Sequence, residues 1–142
     1  MILDDYLELA DAQTSTANSA STSTIDTVAG GDSYEGAFFL VRVDTTFTAY
    51  GAGSPTATFQ LQTSDDEDFG GVAVTLVQSA ALTPAKLLTG KYWAARIPAG
   101  ALRYIRGYIS TTLIPNVFAT ASYDMYICRD IDTANNDRDL IV

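Results

Sequence analysis

Residues 56–63 read TATFQLQT, and their alternation decides the fold class. Ala57, Phe59 and Leu61 point one way and Thr58, Gln60 and Gln62 the other, because successive side chains of an extended chain leave opposite faces. A strand with one apolar and one wettable face packs against a single core. Upstream, AFFLVRV (37–43) is apolar on both faces up to Arg42; downstream, VAVTLV (72–77) alternates Val72, Val74 and Leu76 with Ala73, Thr75 and Val77. YWAARI (92–97), LRYIRGYIS (102–110) and VFATASYDMYIC (117–128) add aromatic and β-branched runs, bounded by Gly90, Pro98-Ala99-Gly100 and Pro115-Asn116. IDTV (25–28), ahead of Gly30-Gly31, is a weaker seventh strand, and residues 140–142 read as a short edge strand. ALTPAKLLTG (81–90) holds one helical turn, with Thr83 as its cap and Pro84 at its first helical position.

Short strands punctuated by turn signals, with no long helix among them, predict an all-β chain: an antiparallel β-sandwich or jelly roll rather than a parallel α/β sheet. The length of 142 residues suits one domain, and 47% hydrophobic against 18% charged residues supplies enough apolar surface to offset the entropy of ordering it. Residues 1–24 are expected to form an extended N-terminal arm and a Ser/Thr/Ala-rich connector, 25–128 the sandwich, and 129–142 an acidic C-terminal tail. In the arm, ILDDYLELADAQ sets Ile2, Leu3, Tyr6, Leu7 and Leu9 on a roughly helical spacing. It is too short to hold a helix alone in water, so it must dock, either on its own domain or on a neighbouring subunit. TSTANSASTST (14–24) has no apolar face to drive packing.

The net charge of −9 weighs against nucleic acid as a partner, since that affinity comes from neutralising phosphates with Lys and Arg. Charge is also segregated: twelve acids and one base, Arg42, precede Lys86, and then Lys86, Lys91, Arg96, Arg103 and Arg106 follow with no acid among them. A dipolar surface results unless folding mixes these segments. The chain has no histidine, which removes the commonest general base, the commonest zinc ligand and every His-dependent triad. It has neither a Walker phosphate loop nor a GxGxxG. Cys128, the single cysteine, has no histidine to activate it and allows no internal disulfide, which fits a packed thiol in a reducing cytoplasm.

LQTSDDEDF (61–69) offers the one concentrated set of metal-ligand chemistry. A calcium loop started at Asp66 finds Asp68 but puts Gly70 and Val77 where a ligand and the closing Glu belong. The four acids instead read as a solvated strand-end loop, with Phe69 as anchor and Gly70-Gly71 resetting the backbone. No enzyme activity, metal or cofactor is expected. Trp93, Tyr104, Tyr108, Tyr123 and Tyr126 lie in strand patterns, as core or interface anchors or as a platform for stacking sugars. The longest apolar run, 37–41, is far too short to cross a bilayer, and residues 1–10 carry acids where a secretory signal carries positive charge, so no membrane is expected.

Taken together, ILDDYLELADAQTST, LQTSDDEDF and PAGALRYIRGYI resemble the capsid cement (decoration) proteins of tailed bacteriophages of the Bordetella-phage type. The corresponding residues are Leu3-Asp4, Asp11-Ala12-Gln13, 61–66 and 98–106. Ala10 departs from the serine frequent there, Glu67-Asp68 makes the loop more acidic, and nothing from Arg129 onward aligns. The resemblance implies a jelly-roll structural virion protein without catalytic activity, assembled in the host cytoplasm and bound in many symmetric copies to the outer surface of an icosahedral head. Its partners would be the major capsid protein and sister cement subunits, as a homo-oligomer. On that reading Tyr6, Leu7 and Leu9 reach a neighbour, while Arg96, Arg103 and Arg106 meet acids on the shell or on a sister subunit. The alternative is a carbohydrate-binding or tail-associated adhesion module, and a metal-dependent hydrolase comes third.

Overall fold

A computed structural model describes residues 7–28, 34–112, 117–129 and 140–141. They form eight strands: β1 (Glu8–Thr14), β2 (Ser19–Asp26), β3 (Phe38–Ala49), β4 (Ala57–Ser64), β5 (Val74–Gln78), β6 (Tyr92–Arg96), β7 (Tyr104–Thr111) and β8 (Phe118–Cys128). Two four-stranded sheets result, ordered β1-β8-β3-β6 (sheet A) and β2-β7-β4-β5 (sheet B). Every strand pairing is antiparallel. The pairs β1·β8, β2·β7, β3·β6 and β4·β5 are those of one long hairpin folded over on itself, and β8·β3 and β7·β4 then complete each sheet. This is the jelly-roll arrangement of an all-β sandwich.

The core lies where the alternation places it. Ala57, Phe59 and Leu61 are fully buried from sheet B, and Phe39, Val41 and Val43 from sheet A. At its centre the Phe47 ring meets Phe118 at 5.1 Å, Phe59 at 6.3 Å and Tyr123 at 6.3 Å. Full burial of such a side chain is worth about 1.5–3 kcal/mol, so this aromatic knot is what the two sheets close upon. β5 begins two residues later than its pattern predicts. Thr63↔Val74 is the last pair it makes with β4, so Val72 has no ladder to join and stays 82% exposed. The helical turn at Pro84–Lys86 is present as a 3-10 turn, closed by Lys86 N–H on the Thr83 carbonyl at 2.9 Å, but the Thr83 side chain makes no capping bond.

The N-terminal segment corrects the expected arm and connector. From Glu8 onward it is strand, with β1 at the edge of sheet A and β2 at the edge of sheet B. β1 carries two register shifts, so the consecutive residues Leu9 and Ala10 are both buried, and Ala12 takes a positive φ of 43°. Of β2 the expected strand at 25–28 catches only the end, Ile25-Asp26, because Ile25 is its one buried side chain. Hydrogen bonds to β7 hold it instead. Gly107 N–H donates to Ser21 Oγ at 2.9 Å, and in the turn before β2 Asn18 Oδ1 accepts from Thr111 N–H at 2.6 Å and from Thr111 Oγ1 at 2.9 Å. Of the expected tail strand, Leu140 makes one parallel bridge to Tyr92, and Ile141 N–H donates to the Tyr92 carbonyl at 2.8 Å. Ile2, Leu3, Tyr6, Gly30-Gly31, Pro115-Asn116, 130–139 and Val142 lie outside the described residues.

Candidate functional site

The alternation of β7 sends Ile105, Gly107 and Ile109 into the core and leaves Tyr104, Arg106 and Tyr108 on the outer face of sheet B. Across the register Arg106 faces Gln62, Tyr104 faces Ser64 and Tyr108 faces Gln60 on β4. The strand parts of the segments 61–66 and 98–106, residues 61–64 and 104–106, are therefore adjacent in one sheet although far apart in the chain. Arg106 Nε donates to Gln62 Oε1 at 3.0 Å, Gln62 Nε2 to Gln60 Oε1 at 2.9 Å, and Gln60 Nε2 to Gln78 Oε1 at 3.2 Å. A chain of amides thus runs from β7 across β4 to β5.

The acidic loop shapes the other side of this site. Asp66 N–H donates to Ser64 Oγ (3.1 Å), Asp68 N–H to Asp66 Oδ1 (3.2 Å) and Phe69 N–H to the Asp66 carbonyl (3.1 Å). These bonds wind the loop back so that Phe69, at a φ of 53°, lies under cover while Asp65, Asp66, Glu67 and Asp68 face solvent. Among the described residues no three carboxylates converge as metal ligands. Phe69 lies over the Arg106 guanidinium with 4.2 Å between guanidinium carbon and ring centroid, and Tyr108 flanks it at 5.4 Å. Cation–π contacts of this kind hold a guanidinium plane in place. Burial pulls the Arg106 pKa below its ordinary value, although an arginine stays charged throughout the physiological range.

Arg103 is differently placed. Its Nε and Nη2 donate to Asp26 Oδ1 and Oδ2 at 2.9 and 3.0 Å, a bidentate pair, and Asp26 also accepts from Val28 N–H at 2.7 Å. The Arg103 bond, followed by the Val28 bond, lowers the Asp26 pKa, and the same bond raises that of Arg103. Folding therefore mixes charges that are segregated along the chain. Arg96, at the end of β6, belongs to the opposite sheet, where it stacks on Phe38 at 4.9 Å and donates from Nη1 to the Gly36 carbonyl at 3.4 Å. The three arginines do not form one basic site. Leu9 is fully buried in this chain's own core, while Leu7 packs against that core and is only partly buried; Tyr6 falls outside the described residues.

Sequence reasoning missed two polar devices. Arg42 and Asp124 face each other across β3 and β8, with Arg42 Nε 3.2 Å from Asp124 Oδ2. The Asp124 carboxylate is only 4% exposed and accepts the Ala12 N–H at 2.7 Å, which pins the irregular stretch of β1. Opposite charges in two separate strand patterns, 37–43 and 117–128, were the available signal. Gln13 spans the two sheets at their common edge: its Nε2 donates to the Ala20 carbonyl at 2.7 Å, and its Oε1 accepts from Thr22 N–H at 3.0 Å. Cys128, 3% exposed, is packed with Leu40 and Tyr92 in a small cluster on the outer side of sheet A.

The family model Bbp16 matches residues 9–120, from within β1 into β8. The chain belongs to the Bbp16 family. That name points to a protein of a Bordetella phage. The Bbp16 match takes in Asp11-Ala12-Gln13, 61–66 and 98–106, and it ends before Asp124 and the tail. No curated protein matches the chain.

Proposed function

We propose that the chain is a structural virion protein, a capsid cement or decoration protein that binds the outer surface of an icosahedral phage head and reinforces contacts between major capsid protein subunits. One observation carries the reading. Of the segments that resemble cement proteins, Asp11-Ala12-Gln13, 61–66 and 98–106 fall inside the Bbp16 match, and the strand parts of the last two, 61–64 and 104–106, pair in sheet B with Gln62 and Arg106 on its outer face. What they share is a surface, and a surface is what a cement protein uses. A partner patch of roughly 800 Å² is typical of specific interfaces. One rigid body touching two or more capsid neighbours raises the effective concentration of each contact, so modest affinities add to firm attachment. Gln13, which clips the edges of the two sheets together, supplies part of that rigidity. In this proposal the protein works in symmetric copies on the head, after assembly in the host cytoplasm, and performs no catalysis.

The adhesion alternative requires an exposed aromatic platform. Trp93 stacks edge-on against core Phe39 at 5.9 Å, Tyr123 is fully buried and Tyr104 is 8% exposed, so these rings are committed to packing. Trp93 fluorescence that is insensitive to oligosaccharides agrees with the cement reading. The direct test mixes purified protein with heads assembled without it, followed by cryo-EM and thermal melting of the heads. Ordered density on the outer surface and a raised melting temperature are expected; bare heads with unchanged melting refute the proposal. An N-terminal arm is tested by removing residues 1–6 alone, since removing 1–12 would also take Leu9 out of the core. Undiminished head occupancy would dismiss the arm.

A further inference from the structure

Resting on the capsid-binding reading, we infer that Arg106 is the docking group of the sheet B face and that it receives a carboxylate from the capsid protein. The guanidinium is already oriented. Gln62 holds its Nε, Gln60 holds Gln62, Phe69 covers its plane at 4.2 Å and Tyr108 flanks it. A side chain fixed before contact loses little rotamer freedom on binding.

Its donors are also unspent. Among the described residues no hydrogen bond or ion pair reaches the two terminal amino groups of Arg106; its one hydrogen bond is from Nε. That leaves an end-on pair of N–H groups, matched in width to the two oxygens of a carboxylate. Arg103, two residues earlier, shows the contrast, because Asp26 occupies its fork. The environment of Arg106 is made of uncharged amides and rings, and burial already disfavours its charge. An incoming anion that completes the pair therefore relieves a cost instead of breaking an existing contact.

The occupant is a carboxylate of a protein and not a nucleic-acid backbone. Exposed Asp65, Asp66, Glu67 and Asp68 lie on the loop that carries Phe69, and the whole chain is at −9. A polyanion would be repelled by that rim, whereas a single acid fits between it and the guanidinium.

The test measures binding of the full chain to heads of its own phage assembled without it, with wild type, Arg106→Gln, Arg106→Lys and Arg103→Gln. Truncating one member of a desolvated charge pair weakens binding strongly, so Arg106→Gln is expected to lose about 10- to 100-fold in apparent affinity. Arg106→Lys does not restore it, because an ammonium lacks the fork. Arg103→Gln shifts affinity by less than about 5-fold, the range of exposed pairs. Acetate, a single carboxylate, releases bound wild type, and inorganic phosphate at equal ionic strength does not. If Arg106→Gln melts early, Arg106→Lys, which keeps the charge and an aliphatic stem, carries the comparison. Wild-type affinity in both Arg106 variants overturns this inference and leaves the cement reading standing; release by phosphate alone overturns the carboxylate assignment. Wild type that fails to decorate the heads overturns the cement reading, and this inference with it.

Discussion

Gly107→Ala isolates the contact between the two sheets at a single atom. Gly107 sits mid-strand on the inner face of β7, and a Cβ there would lie 2.3 Å from Met125 Sδ, 3.6 Å from Met125 Cγ and 3.4 Å from Ser21 Cβ. Non-bonded carbons settle at roughly 3.5–4.0 Å, so the sulfur must retreat by more than an ångström. It has nowhere convenient to go, because Met125 is fully buried in the closed core. Ser21 on the other side is tied to Gly107 N–H at 2.9 Å, which keeps β7 from shifting the opposite way. Overpacking of this kind costs about 1–3 kcal/mol. Against it, replacing glycine restricts the unfolded chain and returns about 0.4–1 kcal/mol. The net expectation is a loss of about 1–2 kcal/mol, which for a chain of this size lowers Tm by about 3–7 °C.

The assay is urea unfolding followed by Trp93 fluorescence, for wild type, Gly107→Ala, Met125→Ala and the double variant. Met125→Ala alone opens a cavity worth about 2–5 kcal/mol. In that background the new methyl group enters vacated space, so Gly107→Ala turns neutral or stabilising. The coupling between the two sites is then about 1–3 kcal/mol. If the two changes add to within about 0.5 kcal/mol, as unconnected sites do, the packing account of Gly107 is refuted.

Three further outcomes follow from buried and paired polar groups. Asp124→Ala strands the Ala12 N–H and is expected to cost about 1–3 kcal/mol and to speed amide exchange in β1; Asp124→Asn keeps an acceptor and loses less than half as much. Equal losses in the two variants would move the weight to the Arg42 ion pair, whose guanidinium partner is 56% exposed. Burial pushes the Tyr123 hydroxyl from 10.0 up to about 12, with the Ser15 and Ser19 hydroxyls pulling weakly the other way although none meets it at hydrogen-bonding geometry. The unfolded tyrosine ionises first, so stability falls between those two pH values by about 2–3 kcal/mol. Tyr123→Phe should flatten that alkaline slope in denaturation series run from pH 8 to pH 12, and an unchanged slope would place the titration elsewhere. The Asp26 carboxyl is held below its ordinary 3.8. Its contribution is present above that value and is lost as pH falls through the lowered one; a carbon-detected NMR titration should find the midpoint returning upward in Arg103→Gln.

Which residues point inward was readable from the chain wherever the period stayed at two. Ala57, Phe59 and Leu61 lie in the core as their alternation requires, and the absence of histidine by itself removes whole classes of chemistry. Legibility ended at β1 and β2. There the irregular register puts Leu9 and Ala10 on the same side, and hydrogen bonds do the work of apolar burial. The basic stretch of the candidate site was visible as composition but not as geometry.

Arg103 and Arg106 show the division most plainly. The strand period places the charge of Arg106 between Tyr104 and Tyr108 on one face, a consequence of backbone geometry that needs no neighbour. Only the tertiary structure decides that Asp26, 77 positions away, closes the fork of Arg103, while Phe69 and Gln62 hold Arg106 with its terminal donors open. Side-chain direction is a local property of an extended backbone, whereas the partner a side chain meets depends on which distant strands the folded hairpin brings alongside it.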